Sequence, residues 1–463
     1  MKRNMQETNS PRLTFHGGVG EVTGANFLLE YRHLRVLIDC GLFQGAENER
    51  QNRAPFGYDP ASIDCLLVTH AHLDHIGRIP KLVREGFRGV IYSTAETKKI
   101  SEIMLADALH LLVTGAEKVG VYPLYGESDV AKTFALWKTV SYGAKISFSK
   151  DLEVAVRDAG HVLGSSMFEF VVGRRGETMR VLFTGDLGNT NSTLQNKIAP
   201  PGGIHYLVIE SVYGDRNHES REEREEKFLT VVREAIERGG TLLIPAFSLE
   251  RTQTILHKLN HLVEEKQIPS IPVFLDSPLA IKITRIYESI SSLYSAEIRQ
   301  EMAAGDDVFR FPKLKETARV AESQNIISVP NPKIIIAGSG MSTGGRVVEH
   351  EKHLLPDPKT TVLLLGYQAP GTLGRRIQDG VREVKIDDAI VRVRARVEII
   401  EGYSAHMDSE HLIEFAESSK GTLRKVFVVM GEPKSSFFLA QRVRDYSGIS
   451  ATVPERGRSY PLF

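Results

Sequence analysis

The stretch LLVTHAHLDHIGRIP, residues 66–80, sets His70, His72, Asp74 and His75 within six positions directly after an apolar run. Imidazole nitrogens and carboxylate oxygens are the ligands zinc takes, and a catalytic zinc keeps one position open for water. Leaving a strand, such a loop can turn His70 and His72 toward one ion while Asp74 and His75 face another. Those residues cannot fill the shells of two ions, so partners must come from elsewhere. Asp39 in VLIDCG, His161 in DAGHVLGSS and Asp186 in VLFTGDLG each sit where an apolar strand runs into glycine. A rigid sheet positions side chains at such places and glycine relieves crowding. Taken singly, each is more often a turn residue; beside the histidine motif they read as a set.

Two glycine-rich loops, GSGMSTGG and APGTLGRR, point to a second kind of chemistry. Small residues there can expose backbone N–H groups, and Ser339, Ser342, Thr343, Thr372 and Arg375 add donors for phosphate oxygens. Either loop alone reads equally well as an ordinary turn between strand and helix.

The elements that must carry these residues alternate in style along the chain. Short apolar strands separated by glycine turns come first: ANFLLEY and LRVLIDCG as a hairpin, then IDCLLVTH, GVIYST, LEVAVRDAG, SSMFEFVVG and MRVLFTGD. Helical pattern fills HIGRIPKLVREG and TKKISEIMLADALHLLVTG. From about residue 206 strand and helix alternate regularly, through IHYLVIES, SREEREEKFLTVVREAIERG, TLLIPAF, LERTQTILHKLNHLVEEK, IPVFLDS, PKIIIAGS and TTVLLLGY. Strands apolar nearly throughout predict a parallel sheet covered on both faces. After residue 385 the earlier style returns in DDAIVRVRARVEIIEGYSAH and RKVFVVMGEP. The pattern predicts a doubly wound unit inserted into a discontinuous domain. RNHESREEREEK reads as a solvated helix face with i,i+4 ion pairs.

The chain has 463 residues, 41% hydrophobic and 25% charged, which allows a globular core and two or three domains, or one with a large insertion. With 58 basic and 58 acidic residues, bulk charge announces no nucleic-acid partner, although a local basic groove can still attract phosphates. No run approaches the roughly 18 apolar residues of a membrane span, so no membrane partner is expected. MKRNMQETNSPRLTF lacks the apolar core of a secretory signal. Cys40 and Cys65 are too few for a disulfide scaffold and suit a reducing cytoplasm.

The ligand constellation resembles the metallo-β-lactamase superfamily, whose aspartate, HxHxDH, later histidine and later aspartate fall on Asp39, His70 to His75, His161 and Asp186. The resemblance implies that His70, His72 and His161 hold a first zinc, that Asp74 and His75 hold a second, and that Asp186 bridges them. Asp39 would orient a ligand by hydrogen bonding. The chain is also similar to the β-CASP group, the RNA- and DNA-processing nucleases of that superfamily. VIESVYGDRNH places that group's acidic residue at Glu210, and EGYSAHMD places its histidine at His406. PAFSLERTQ, FLDSPLA, AGSGMSTGG, LLGYQAPGTLGRR, EVTGANFLLE and GLFQG look like blocks of bacterial β-CASP ribonucleases.

This likeness runs from about residue 13 to the C-terminus. It implies an α/β fold: a discontinuous metallo-β-lactamase αββα sandwich over 1–205 and 381–463, with an inserted doubly wound parallel-sheet β-CASP domain over 206–380. It implies a cytoplasmic, zinc-dependent endoribonuclease acting on single-stranded RNA, with a homodimer left open. Asp74 would orient the nucleophile as well as bind metal. His406 would protonate the leaving oxygen while Glu210 holds its imidazole protonated. An RNA-binding protein with a degenerate second metal site and little hydrolysis is the alternative. A thioesterase or lactamase would have no use for the insertion.

One position departs from the group. Its third motif, a histidine in a strand-end HGE, falls on Met430 in VFVVMGEPKSS, and a neutral thioether is a poor zinc partner beside nitrogen and oxygen. We expect one tightly bound zinc and a weaker second, with activity retained. A substitute histidine from another loop, or loss of hydrolysis with RNA binding kept, are the other outcomes. In GGRVVEHEK, Glu349 precedes His350 where similar ribonucleases often have paired histidines, a hint of altered substrate contact.

Overall fold

The structure, a computed structural model, describes residues 10–45, 49–174 and 177–463. The chain forms two compact units. One is built from the segments up to Thr190, Lys197–Asn217 and His406–Phe463; the other from Asn191–Asn196 and His218–Ala405.

Among the described residues the first unit holds two seven-stranded sheets. In one, Ser459–Pro461, Arg12–Gly17, Asn26–Tyr31 and Leu34–Ile38 pair antiparallel, and Cys65–Leu67, Val90–Ser93 and Trp137–Thr139 continue in parallel. In the other, Lys145–Ser149, Leu152–Asp158, Ser166–Arg174 and Glu177–Phe183 form an antiparallel meander. Tyr206–Ile209, Lys425–Val428 and Ser450–Thr452 extend it in parallel. The expected hairpin forms, with Phe27 opposite Ile38 and Tyr31 opposite Leu34.

Alternation along these strands sends one set of side chains inward. Phe15, Phe27 and Val36 from the first sheet meet Val154, Phe168, Val181 and Phe427 from the second in one shared core. On the second sheet's other face, Leu412 and Phe415 of helix Ser409–Glu417 and Leu439 and Val443 of helix Pro433–Ser447 pack on Leu182, Leu207 and Ile209. Helix Ala95–Val119 lies by the far edge of the first sheet, where Lys98 donates to the Trp137 carbonyl at 3.1 Å. This is the αββα sandwich.

The second unit carries a six-stranded parallel sheet in the order Leu314–Glu316, Val273–Asp276, Lys333–Ala337, Thr241–Pro245, Thr361–Leu365, Arg396–Ile400. The chain enters at the interior strand Thr241–Pro245 and winds outward both ways. Helices pack the sheet through Val347 and Leu354 against Leu243, Phe274 and Ile335, and through Ile377 with Val362 and Leu364. Helix Arg221–Glu237 begins at a capping box, Ser220 Oγ accepting from the Glu223 N–H while the Glu223 carboxylate accepts from Ser220 N–H. Arg221 and Glu225 form the expected i,i+4 pair at 3.0 Å.

The boundaries expected at 206 and 380 fall elsewhere. Tyr206–Ile209 is an internal strand of the sandwich, buried at every position. A strand buried on both faces reads alike in any parallel sheet, so the run YLVI carries no sign of which sheet it joins. Arg396–Ile400 is an edge strand of the inserted sheet, and its apolar–charged alternation mimics the sandwich hairpins. Among the described residues no helix is long and apolar enough to cross a membrane.

Two glycines allow the loops of the sandwich to touch. A Cβ at Gly41 would lie 1.4 Å from the Asp74 carbonyl oxygen, and one at Gly188 would lie 1.9 Å from that of Gly160. Backbone cannot give way as a side chain does, so Gly188→Ala is expected to cost about 2 kcal/mol or more. The measurement is a lower urea midpoint at unchanged m-value.

Candidate metal centre

The histidine motif leaves strand Cys65–Leu67 as a loop bearing His70 and His72, then closes into the single-turn helix Leu73–Ile76 bearing Asp74 and His75. Backbone bonds pin that turn: Ala25 N–H donates to Asp74 O at 2.9 Å, and Cys40 and Leu42 N–H donate to His75 O and Leu73 O at 2.8 Å each. His161 follows strand Leu152–Asp158, where its N–H donates to Ser165 Oγ at 3.0 Å. Asp186 follows strand Glu177–Phe183.

These loops bring the predicted ligands together. Single nitrogen or oxygen atoms of His70, His72, His161 and Asp186 all lie within 4.8 Å of one another. His70 Nε2 is 2.9 Å from His72 Nδ1 and 3.5 Å from Asp186 Oδ2; His161 Nε2 is 3.4 Å and 3.6 Å from the same two atoms. The other oxygen of Asp186 faces a different group, 3.4 Å from His75 Nε2, and Asp74 Oδ2 stands 3.9 Å from that nitrogen. One carboxylate therefore presents an oxygen to each of the two expected ligand sets.

Asp39 lies beneath them, fully buried at a backbone φ of 56°. Its carboxylate accepts from the Thr69 N–H, the Thr69 hydroxyl and His75 Nδ1–H, each at 2.8 Å. With its hydroxyl proton given to Asp39, Thr69 Oγ is left to accept from His70 Nδ1–H at 3.1 Å. Both histidines are thus held with Nε2 toward the cluster. Burial, with His75 adding, holds the His70 pKa well below the usual imidazole value, which keeps that lone pair available. Thr69 was missed by sequence reasoning; its signal was its place directly before His70.

Beyond the 3.4 Å ion pair between them, His75 Nε2 and Asp186 Oδ1 are buried without a hydrogen-bond partner. Leaving such atoms unsatisfied costs on the order of 1–3 kcal/mol each. A divalent cation taking both, with the surrounding nitrogens, removes that cost, so the residues present fit a metal ion.

Next to this cluster stands His406, its ring centroid 4.6 Å from that of His161. A bridge between Gly188 and His406 and the Met407 N–H bond to Leu187 O at 2.8 Å fix its position. Its Nδ1 lies 3.1 Å and 3.2 Å from the two oxygens of Glu210, which is buried and also accepts from Leu187 N–H at 2.7 Å. Burial alone would lower the His406 pKa; Glu210 overrides it, and with Asp186 and Asp74 lifts the value to about 9. For Asp74 burial acts in the opposite sense and lifts the carboxyl to about 6, with Asp186 adding to the rise.

Family models match almost the whole described chain in succession. Residues 19–217 match the metallo-beta-lactamase superfamily, 252–377 the Beta-Casp domain, and 390–454 the Zn-dependent metallo-hydrolase RNA specificity domain. Ribonuclease TTHA0252 of Thermus thermophilus is 36% identical over 430 residues, covering 93% of this chain and 95% of that protein. The chain belongs to the β-CASP group of the metallo-β-lactamase superfamily. It is accordingly a metal-dependent hydrolase, and its family includes a ribonuclease. The transcription termination factor FttA of Methanocaldococcus jannaschii is 33% identical over 444 residues, 94% of this chain and 69% of that protein. A crystal structure of a protein of unknown function from Enterococcus faecalis V583 shares the fold, with a TM-score of 0.57 at 13% identity over 98% of this chain and 100% of that one.

Met430, where the resemblance places the third-motif histidine, is a core residue. Its side chain is buried in the core shared by the two sheets, and a Cβ on Gly18 would meet its sulfur at 2.5 Å. Its backbone keeps the strand-end geometry, with N–H donating to Gly18 O at 2.8 Å and φ at 49°.

In the inserted unit the two glycine-rich loops are neighbours: Gly374 N–H donates to Met341 O at 3.1 Å and Gln368 Nε2 to Gly340 O at 2.9 Å. Thr343 is exposed, its N–H donating to Ser339 Oγ at 2.9 Å. Of the other three expected phosphate donors, Ser342 and Thr372 are committed within the fold and Arg375 keeps a partly exposed side chain. Ser342 is buried and its hydroxyl donates to the Glu351 carboxylate, which corrects its expected role. Thr372 caps helix Leu373–Gln378 by accepting from Arg375 N–H at 3.1 Å, and the Arg375 side chain pairs with Asp379 at 2.9 Å. For Ser342 and Thr372, local polar demand won over an outward-facing role. Glu349, standing where paired histidines are frequent and read as a hint of altered substrate contact, is exposed, while His350 beside it is buried and bonds Asp276 at 2.6 Å.

Two outcomes are expected. Asp39→Ala frees His75 and should weaken metal affinity about 10- to 100-fold, read by zinc titration against a competing chelator. Burial raises the Glu351 carboxyl to about 7. The folded state then holds its proton more tightly than the unfolded chain, whose value is about 4.3. Stability therefore falls as pH rises between these values and levels off above the higher one, by on the order of 3 kcal/mol in all. Glu351→Gln should remove that fall in urea unfolding measured at pH 5 and pH 8.

Proposed function

We propose that this protein is a zinc-dependent endoribonuclease that cleaves phosphodiester bonds of single-stranded RNA. The observation that carries the reading is His406, held against Glu210 beside the four-ligand cluster and lying within the segment that matches the RNA specificity domain. His70, His72 and His161 would hold a tightly bound ion with Asp186, whose other oxygen, with His75 and Asp74, would hold a weaker second. Zinc bound there supplies Lewis-acid polarisation of the phosphate and acidifies a water enough for attack near neutral pH.

The chain's own groups supply the rest. Asp74 orients the attacking water. His406 donates a proton to the departing oxygen, and Glu210 stabilises the imidazolium that must be present for that donation. Ser339 and Thr343, whose hydroxyls lie 3.1 Å apart, and the partly exposed Arg375 are the loop donors within reach of phosphate. Burial of His70, His75, His161 and Asp186 favours a flexible single strand, whose backbone can be drawn into such a site, over a rigid duplex. The family's ribonuclease from Thermus thermophilus, similar over nearly the full length of both chains, supports RNA as the substrate. The buried free thiols of Cys40 and Cys65 support a cytoplasmic setting.

The loss of a ligand at Met430 favours one alternative, RNA binding without cleavage. Metal content, RNA affinity and cleavage of a structured RNA with single-stranded segments separate the two in wild type, Asp74→Ala and His406→Ala. We expect wild type to cleave and His406→Ala to lose about 10²- to 10⁴-fold in rate at unchanged metal content. A wild-type protein that holds zinc and binds the RNA yet leaves it intact would sink the nuclease reading.

A further inference from the structure

A second cluster of metal-ligand side chains lies within the inserted unit. Helix Arg251–Glu264 places His257 and His261 one turn apart on the same face, and helix Ala296–Ala303 supplies Glu301. His257 Nε2 and His261 Nε2 are 3.0 Å apart, and Glu301 Oε2 lies 2.9 Å from the first and 3.3 Å from the second. These three side chains form a group whose ligand atoms converge within 4.8 Å.

Proton counting makes this triangle hard to satisfy with hydrogen bonds alone. If His257 Nε2–H donates to Glu301, the lone pair of His261 Nε2 meets the carboxylate oxygen unscreened. If His261 Nε2–H donates to His257 instead, the lone pair of His257 faces that oxygen. A proton on both nitrogens sets two N–H groups head to head at 3.0 Å. A cation that accepts all three lone pairs leaves no edge in conflict. Glu265 sits 3.7 Å from His261 Nδ1, an ion-pair rather than a hydrogen-bond distance, and its charge favours a proton on that nitrogen over Nε2.

We propose that His257, His261 and Glu301 bind a divalent transition ion of the zinc class, bracing helices Arg251–Glu264 and Ala296–Ala303. Two histidines and one glutamate are a zinc-type donor set with room for water at the fourth position. His257 is buried while His261 and Glu301 are partly exposed, so the ion would exchange with solvent.

The test uses the full chain. Wild type, His261→Gln and Glu301→Gln are equilibrated with buffered free zinc, and zinc per chain is measured by elemental analysis alongside the zinc-dependent shift in Tm. Each variant should hold one ion fewer than wild type, with far-ultraviolet circular dichroism unchanged and part of the Tm shift lost. Equal zinc content in wild type and Glu301→Gln would overturn the site. Should His261→Gln fail to fold, Glu301→Gln, an isosteric change at a partly exposed position, decides alone.

Discussion

Everything in the sandwich unit answers to one buried carboxylate. Asp186 Oδ1 lies 3.4 Å from His75, and Oδ2 lies 3.5, 3.6 and 3.9 Å from His70, His161 and His406. A single anion cannot satisfy so many ring nitrogens, and polar atoms gathered away from water without full partners are costly. They stay together because the scaffold leaves them no choice. Asp39 and Thr69 fix two rings from behind, Gly41 and Gly188 let backbone segments touch, and the core between the two sheets offsets the local cost. Such a site is built for a cation before the cation arrives.

The ligands were legible because their spacing is dictated by that chemistry. His70, His72, Asp74 and His75 stand close in sequence since one loop and one helical turn must reach two faces of Asp186. His161 and Asp186 could be found because each ends a strand at glycine, and the Asp39 hub showed the same signature. Thr69 escaped, for its one signal was its place directly before His70, and a threonine at the end of an apolar strand does not by itself declare the hydrogen bonds it makes. Met430 was legible as a departure from the family but not as a core residue. Its place in the core between the two sheets is set by tertiary packing.

The inserted unit was legible in type and misread at its edges. Parallel strands flanked by helices are recognised by runs such as LLIP and KIIIA, yet YLVI has the same composition and belongs to the other unit. Conversely, RVEII alternates like a sandwich strand because it lies at a sheet edge. Pattern reports how many faces of a strand are buried, whereas partnership depends on contacts far away in sequence. The glycine-rich loops show the same limit at the level of side chains. Ser342 and Thr343 are adjacent, but backbone geometry, with φ of 55° at Ser342, sends one inward to Glu351 and leaves the other exposed.

The two clusters of ligand residues differ in how they are held, and that difference bears on what an ion would do in each. The Asp186 cluster sits on strand-end loops, backed by a buried hydrogen-bond hub and flanked by the His406–Glu210 pair, so an ion there has acid–base groups within reach. His257, His261 and Glu301 project from helices, and their side chains meet one another, with Glu265 beside His261. A cation in that setting has no proton donor poised beside it and two helices to join. Chemistry at the first and bracing at the second follow from the same coordination preferences placed in different surroundings. The helical pair also explains its own invisibility: histidines four residues apart in a helix are common on ordinary faces, and only the fold brings Glu301 to them.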